Sequence, residues 1–306
     1  MKVYKSVSEL VGKTPILELV NIEKEMNLES RIFAKLEMFN PAGSSKDRVA
    51  MHILNCAEKE GKIHTGGTII EATSGNTGIG LACIGVSRGY KVIIVMPDNM
   101  SKERIQIMRA YGAEVVLSDG HLGMAGATQL AKEIYEKTPN AFVASQFENM
   151  ANPQSHYMTT GPEIYEAMNG EIDYFVCAVG TGGTISGVGK YLKERCKNVR
   201  IVAVEPQNSP LLSKGVAGSH KIQGIGANFI PKTLDSEIYD EIITVSDEDA
   251  YKYTAEISKK EGVLVGISSG CALCASLKIA KREKGKNIVV LLPDTGARYL
   301  SNLIWE

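Results

Sequence analysis

Thr68-Ile69-Ile70-Glu71 predicts a short strand. A glycine-bearing turn follows at residues 72–78, then a helix of small residues at 79–88 and a second strand at 91–96. A strand, a crossover helix and a second strand form the repeating unit of parallel sheets. The segment therefore predicts an α/β fold.

The same order of elements recurs later, with a strand at residues 174–179, a turn at 180–184, a helix at 185–195 and a strand at 200–205. Two units of this kind predict two α/β lobes, each with a twisted, mainly parallel sheet flanked by helices.

The alternation around the first unit continues to about residue 150, so we expect a smaller lobe at residues 40–150. Residues 1–39 and 151–306 are expected to form a larger lobe around the second unit. The chain has no low-complexity segment, so both lobes should be compact.

The composition is ordinary for a protein with a normal core: 306 residues, 44% hydrophobic and 23% charged, with a formal net charge of -1. No block of Lys or Arg stands out, so the sequence does not favour binding to nucleic acid or to an anionic membrane. No apolar run approaches the length that crosses a bilayer, and the first residues do not resemble a signal peptide, so we expect a cytoplasmic protein. Small-molecule chemistry is the favoured class of function.

Among the six cysteines, only those in Cys271-Ala272-Leu273-Cys274 have a spacing that could suit a metal or redox site. A zinc site usually needs a second pair or nearby histidines, and the five histidines are isolated. Residues three apart share a helix face, so we interpret the pair as packing residues, with metal or redox use as the alternative. We predict no metal site, and we expect each histidine to be a surface or packing residue.

The stretch Asn40-Pro41-Ala42-Gly43-Ser44-Ser45-Lys46-Asp47-Arg48 places a lysine at an unusual position. Apolar residues recur after it at helical spacing, so Lys46 lies at or just before a helix N-terminus. The helix dipole and burial there disfavour the ammonium form, which leaves a nucleophilic amine. Such lysines form Schiff bases with carbonyl groups, including that of pyridoxal phosphate. The alternative is a solvated lysine whose charge Asp47 partly neutralises.

Glycine-bearing turns are predicted at the carboxyl ends of three strands, at residues 73–78, 180–184 and 266–270. Ligands of open α/β sheets bind at this edge. Backbone N–H groups at a helix start bind anions when glycines and hydroxyl side chains surround them, so a phosphate suits residues 180–184 and a carboxylate suits 73–78. The alternative is that the glycines only relieve backbone strain.

A dinucleotide site competes for residues 180–184, because Glu205 ends the next strand where a ribose-binding acid would lie. Its fingerprint fails, because Ile185 occupies the position of the third glycine. The chain also lacks the motifs of P-loop nucleotide hydrolases, HExxH zinc proteases and GxSxG hydrolases.

Taken together, these segments resemble the pyridoxal-phosphate β-family (fold type II) related to tryptophan synthase β. Within it, the similarity is closest to the cysteine synthase, or O-acetylserine sulfhydrylase, group, to which cystathionine β-synthase is related. The segments that carry it are the lysine stretch, Thr73-Ser-Gly-Asn-Thr-Gly78, Gly180-Thr-Gly-Gly-Thr184 and Gly266-Ile-Ser-Ser-Gly270. Supporting stretches are Gln146-Phe147-Glu148-Asn149, Thr159-Thr160-Gly161-Pro162-Glu163-Ile164 and His220-Lys221-Ile222-Gln223-Gly224-Ile225-Gly226. They span nearly the whole chain.

The resemblance implies a role for each candidate site residue. Lys46 holds the cofactor as an imine, Asn76 contacts the ring oxygen, and Ser268 faces the pyridine nitrogen. The residues implied for the cofactor phosphate are Gly180, Thr181, Gly182, Gly183 and Thr184. Those implied for the substrate are Thr73, Ser74, Gly75, Thr77, Gln146 and Gly224.

The resemblance also implies the reaction, in which L-cysteine forms from O-acetyl-L-serine and sulfide through an aminoacrylate. Lys46 removes and returns the Cα proton. The Ser268 hydroxyl cannot keep the pyridine nitrogen protonated as a carboxylate could, which favours β-replacement over transamination. The alternatives are cysteine-consuming, sulfide-releasing chemistry (a lanthionine synthase or cysteine desulfhydrase), cystathionine synthesis from serine, and a non-catalytic regulatory protein.

The family further implies a homodimer, and often a serine acetyltransferase partner whose C-terminal tail occupies the active site. We also predict that the smaller lobe is mobile and closes over the bound amino acid, because its turn holds the carboxylate while the other lobe holds the cofactor phosphate; closure would exclude water. The sequence departs from the family pattern at Asn228, where glycine is frequent, and at Ala297, where glutamate is frequent. An amide at position 228 could hold a water that helps a poorer leaving group than acetate.

Overall fold

The structure, a computed structural model, describes residues 3–305. Met1, Lys2 and Glu306, which the predicted larger lobe included, lie outside the described residues. The strands are β1 (Ile16–Glu18), β2 (Arg31–Leu36), β3 (Thr68–Ala72), β4 (Lys91–Pro97), β5 (Glu114–Ser118), β6 (Ala141–Val143), β7 (Tyr174–Ala178), β8 (Arg200–Pro206), β9 (Glu241–Val245) and β10 (Asn287–Leu292). The α-helices are α1 (Val20–Glu25), α2 (Lys46–Lys59), α3 (Asn76–Ser87), α4 (Lys102–Ala110), α5 (Gly123–Lys137), α6 (Ala151–Met158), α7 (Thr160–Ala167), α8 (Gly183–Lys193), α9 (Leu211–Lys214), α10 (Asp247–Glu261) and α11 (Ile267–Arg282). Among these residues, no helix combines the length and apolar character that a membrane span needs.

The predicted α/β fold with mainly parallel sheets is confirmed. The strands expected around the two glycine turns end within one residue of β3, β4, β7 and β8. Both following helices begin earlier than predicted, because α3 starts at Asn76 and α8 at Gly183, inside the turns. The glycine-bearing turns therefore supply the first turn of each helix, where N–H groups have no intrahelical acceptor.

The chain divides into two compact units, one of residues 3–11 with Asn40–Asn152 and one of Gly12–Phe39 with residues 153–305. The expectation that the N-terminal residues belong to the larger lobe is wrong for residues 3–11. Val7 and Val11 pack against the core of the smaller unit, and an Arg88 guanidinium nitrogen donates to Ser8 Oγ at 3.3 Å. Apolar packing thus fixes this segment to the smaller unit.

The smaller unit contains a four-stranded parallel sheet in the order β5-β4-β3-β6. Successive strand residues face opposite sides of the sheet. Ile69 and Ile94 lie in a core with α2 and α3, while Ile70 and Ile93 lie in a core with α5. Both faces of the sheet are covered, which explains the continuous apolar run in β4; the polar residues Thr68 and Glu71 of β3 are buried as well.

The larger unit contains a six-stranded sheet in the order β1-β2-β10-β7-β8-β9, in which only β1 runs antiparallel to its neighbour. Helices α10 and α11 pack on one face, and α8 packs on the other. Because β7 and β10 are parallel neighbours, the segments that follow them lie at the same edge of the sheet.

The turn at residues 266–270 does not follow a strand, which corrects the prediction. Val265 forms a single antiparallel bridge with Thr295, and residues 267–270 already belong to α11. Thr295 comes shortly after β10, so the bridge still brings the start of α11 to the carboxyl edge of that strand.

Cys271 and Cys274 both lie in the core of the larger unit, on α11. Burial raises the pKa of the Cys274 thiol to about 11, and burial also raises the pKa of Cys271. The pair serves as packing in this core.

Candidate functional site

Lys46 is the first residue of α2, as the sequence predicts, and its side chain is partly buried. The turn before it is held by hydrogen bonds from Gly43 N–H to Asn40 O at 2.8 Å and from Ala42 N–H to Asp47 Oδ2 at 2.6 Å. Gly43 has a positive φ of 79°, which a residue with a side chain rarely adopts. The loop thus presents Lys46 at a helix N-terminus in a defined backbone conformation.

Gly80 brings α3 against the first turn of α2, a feature that sequence reasoning missed. A Cβ on Gly80 would lie 2.9 Å from the Lys46 carbonyl oxygen and 3.3 Å from Ala50 Cβ. Asn76 lies one turn earlier on α3, and residues four apart share a helix face. The signal in the sequence was the run of small residues between Gly75 and Gly85.

The turn between β3 and α3 is joined by side-chain hydrogen bonds to Gln146. Thr77 Oγ1 donates to Gln146 Oε1 at 2.5 Å, and Gln146 Nε2 donates to Thr73 Oγ1 at 3.2 Å. Thr73 Oγ1 also accepts Gly75 N–H at 3.2 Å, and an Arg104 guanidinium nitrogen donates to Ser74 O at 3.3 Å. Hydroxyl, amide and helix N-terminal N–H groups that meet in one place suit a carboxylate.

The turn at residues 180–184 has a backbone that only glycine fits at two positions. Gly182 has a φ of 79°, and a Cβ on it would lie 2.8 Å from Leu234 Cα. A Cβ on Gly180 would overlap the carbonyl oxygen of Gly224. Thr181 and Thr184 are buried beside these glycines, and α8 starts at Gly183. The turn therefore fits a phosphate, because the helix start offers N–H groups and the glycines allow close approach.

His156, which the sequence predicts to be a surface or packing residue, is buried and contacts this turn. Its ring is fully buried, with Nδ1 2.9 Å from Thr160 Oγ1 and Nε2 3.2 Å from Thr184 Oγ1. Gly187 allows the close approach, because a Cβ there would overlap Pro153 O. No local pattern links His156 to Thr184, so sequence reasoning had no signal for the contact.

Ser268 is the second residue of α11 and is buried. Gly266, the N-cap of the helix, donates its N–H to Asp294 O at 3.1 Å, and Tyr299 Oη donates to Asp294 Oδ2 at 2.6 Å. Gly226 N–H donates to Val179 O at 3.0 Å, which holds the segment around Gly224 beside the end of β7. Ser268, Gly224 and the turn at residues 180–184 thus lie at one edge of the six-stranded sheet.

Each unit therefore brings together its own set of predicted residues. The smaller unit groups Thr73, Thr77 and Gln146 directly and packs the Asn76 helix against the start of the Lys46 helix. The larger unit groups residues 180–184 with Gly224.

Comparison with known proteins gives the family. A family model described as pyridoxal-phosphate dependent enzyme matches residues 7–294. The chain belongs to this family. A cysteine synthase from Staphylococcus aureus is 48% identical over 303 residues, which cover 98% of this chain and 97% of that protein.

Solved structures of similar enzymes superpose on this chain over nearly its whole length. Cysteine synthase from Entamoeba histolytica superposes with a TM-score of 0.96 at 44% identity and covers 99% of this chain and 91% of its own. A hydrogen sulfide-producing enzyme from Fusobacterium nucleatum superposes with a TM-score of 0.94 at 46% identity and covers 98% of this chain and 99% of its own. The predicted pyridoxal-phosphate cofactor and cysteine synthase activity are confirmed.

Proposed function

We propose that this chain prefers O-acetyl-L-serine as donor and sulfide as nucleophile, with L-cysteine and acetate as products. The observation that carries the proposal is the hydrogen-bonded group of Thr73, Thr77 and Gln146 at the start of α3, which suits an amino-acid carboxylate. Full-length similarity to a cysteine synthase supports the choice of donor.

We assign the cofactor phosphate to residues 180–184, its aldehyde to Lys46, its ring oxygen to Asn76 and its ring nitrogen to Ser268. The glycines that no side chain could replace support the first assignment, and the position of Lys46 at the start of α2 supports the second. Bound there, pyridoxal phosphate supplies an electron-withdrawing ring that stabilises negative charge at the substrate Cα.

Within this proposal, Lys46 Nζ takes the proton from Cα of the donor and later returns it to the same carbon. The Cβ–O bond of the donor breaks with its electron pair on the departing acetate. Sulfide then forms the Cβ–S bond, and the returned proton completes L-cysteine. Ser74 and Gly75 complete the turn at residues 73–78 that we assign to the substrate carboxylate, and Gly224 is assigned to the substrate as well.

Ser268 favours replacement chemistry over transamination. Its hydroxyl can share a hydrogen bond with a ring nitrogen but cannot keep that nitrogen protonated as a carboxylate would. With that nitrogen unprotonated, the bound cofactor would supply weaker electron withdrawal, and Ser268 would thereby favour loss of the β-substituent over other fates of the deprotonated substrate.

A second candidate function is sulfide release from L-cysteine. Asn228 is exposed and lies shortly after Gly226, whose N–H binds the end of β7 beside the phosphate turn. An amide there can hold a water that protonates a poorer leaving group. The similarity to the Fusobacterium nucleatum enzyme supports this candidate as well. Ala297, the other departure, is exposed in a short helix at Gly296–Arg298.

The test compares kcat/KM for O-acetyl-L-serine with sulfide, L-cysteine alone, and L-serine with homocysteine, in the wild type and in Asn228→Gly. We expect the first pair to be preferred by more than about tenfold, which corresponds to about 1.4 kcal/mol of transition-state discrimination. In Asn228→Gly we expect the activity with cysteine and with serine to fall relative to that with O-acetyl-L-serine.

Preference of the wild type for cysteine or serine by the same margin would overturn the donor assignment. Unchanged ratios in Asn228→Gly would remove the role of Asn228 without affecting that assignment. Ala297→Gly is the matched control, because it alters the other departure and should leave all three ratios unchanged.

The remaining parts of the proposal concern assembly and location. We propose a homodimer that can bind the C-terminal tail of a serine acetyltransferase, a smaller unit that moves when the substrate binds, and a cytoplasmic location. Family resemblance supports the homodimer and the acetyltransferase tail, and all of these statements stay predictions.

A further inference from the structure

Glu71 is a buried acid that the proposed mechanism does not use. It lies on β3, two residues before Thr73, and is 3% exposed. Its Oε2 accepts Ser145 N–H at 2.8 Å, and its Oε1 accepts Gln146 N–H at 3.2 Å. The two carboxylate oxygens therefore bind successive N–H groups of the main chain, those of Ser145 and of Gln146, and the Gln146 side chain contacts Thr73 and Thr77.

The backbone that Glu71 binds is in an unusual conformation. Ser145 has a φ of 53°, which costs about 1–2 kcal/mol for a residue with a side chain. That conformation turns two successive N–H groups toward one carboxylate. Asn152 Nδ2 donates to Gln146 O at 2.8 Å from the other side, so the main chain of Gln146 is held at both its N–H and its carbonyl.

A carboxylate at this buried position is disfavoured by desolvation. Desolvation raises the pKa of Glu71 to about 7, although the N–H groups of Gln146 and Ser145 act in the opposite direction. A neutral glutamine would avoid that cost, but it would face one of the two N–H groups with its own NH₂ group. Only an acidic side chain accepts from both N–H groups with two equivalent oxygens, which accounts for an acid in a buried position.

The position of the Gln146 main chain also determines where its side-chain amide lies. Its Oε1 accepts from Thr77 and its Nε2 donates to Thr73, so a shift of its backbone would break both bonds. We infer that Glu71 is a positioning residue that acts through Gln146 to shape the site for the substrate carboxylate. This inference rests on the proposed assignment of that site.

The test uses the holoenzyme of Glu71→Gln, Gln146→Ala and the double variant. We expect KM for the amino-acid donor to rise by at least about tenfold in Glu71→Gln, with kcat and cofactor content nearly unchanged, because two charge-assisted hydrogen bonds are disturbed. In the Gln146→Ala background, Glu71→Gln should produce no further rise, since a residue that acts through Gln146 has nothing left to position.

Glu71→Asp supplies a second variant, which keeps the charge but shortens the reach, and we expect an intermediate KM. Glu114→Gln is the matched control, because Glu114 is an exposed glutamate on β5 of the same sheet. Additive effects of Glu71→Gln and Gln146→Ala on KM would overturn the inference. Wild-type KM in Glu71→Gln, or the failure of both Glu71 variants to fold, would overturn it as well.

Failure of the proposed function can be distinguished from failure of the Glu71 inference. If the wild type does not turn over O-acetyl-L-serine, the donor assignment fails, and the Glu71 series is then measured with the donor that the wild type does use.

Discussion

Replacing Lys46 by alanine is expected to lower the rate of cysteine formation by about 1,000-fold or more, because the chain loses the group that carries a proton to and from Cα. The purified wild type should absorb visible light through its bound cofactor, and borohydride should fix that cofactor covalently on Lys46. Peptide mapping after reduction and steady-state turnover measure the two effects.

Lys59→Ala is the matched control, because Lys59 is an exposed lysine at the other end of α2. It should retain full turnover and cofactor content. Reduced cofactor on a lysine other than Lys46, or near-normal turnover in Lys46→Ala, would remove the central assignment.

In Gly182→Ala we expect the cofactor dissociation constant to rise by about 100-fold. The new Cβ would lie 2.5 Å from Leu234 Cβ and 2.8 Å from Leu234 Cα, at a residue whose φ is 79°. The left-handed backbone and the overlap together cost about 3 kcal/mol, and relief of either one displaces the N–H groups of the turn. Titration of the apoprotein with pyridoxal phosphate, followed by visible absorption, gives the constant.

Gly215→Ala separates backbone strain from steric overlap. Gly215 has a φ of 69°, but a Cβ on it would meet nothing within 4 Å. We expect a loss in the free energy of unfolding of about 1–2 kcal/mol with unchanged cofactor affinity. If Gly182→Ala binds pyridoxal phosphate as tightly as Gly215→Ala does, the turn at residues 180–184 does not hold the phosphate.

The parts of the fold that were predictable from sequence depend on local patterns. The β4 strand is buried on both faces, so its residues 92–96 form a continuous apolar run that is visible in a short window; β3 has only Ile69 and Ile70 between Thr68 and Glu71. Lys46 could be placed at a helix start because a proline and a glycine precede it and an apolar periodicity follows. The glycine-bearing turns at residues 73–78 and 180–184 were predictable because their glycines are adjacent in the sequence to the predicted strands.

The parts that were not predictable depend on tertiary contacts. Glu71 and Gln146 are separated by 75 positions, and His156 and Thr184 by 28, so no window contains both partners. Gly266 was predicted to follow a strand, whereas a single bridge at Val265 takes the place of that strand. Residues 3–11 were predicted to join the larger lobe because nothing in their own sequence shows which core Val7 and Val11 enter.

The buried and partly buried cysteines affect the chemical durability of a protein that handles sulfide and L-cysteine. Thiolates, not thiols, attack cystine and persulfides. Desolvation raises the pKa of Cys56, Cys196 and Cys271, and it raises that of Cys83 and Cys274 to about 11. The thiolate fraction at neutral pH is accordingly small, and we expect iodoacetamide to alkylate the folded protein far more slowly than the unfolded chain. Comparable rates would show that the fold gives these thiols no protection; slow alkylation would mean that the enzyme can work among reactive sulfur species without being modified by them.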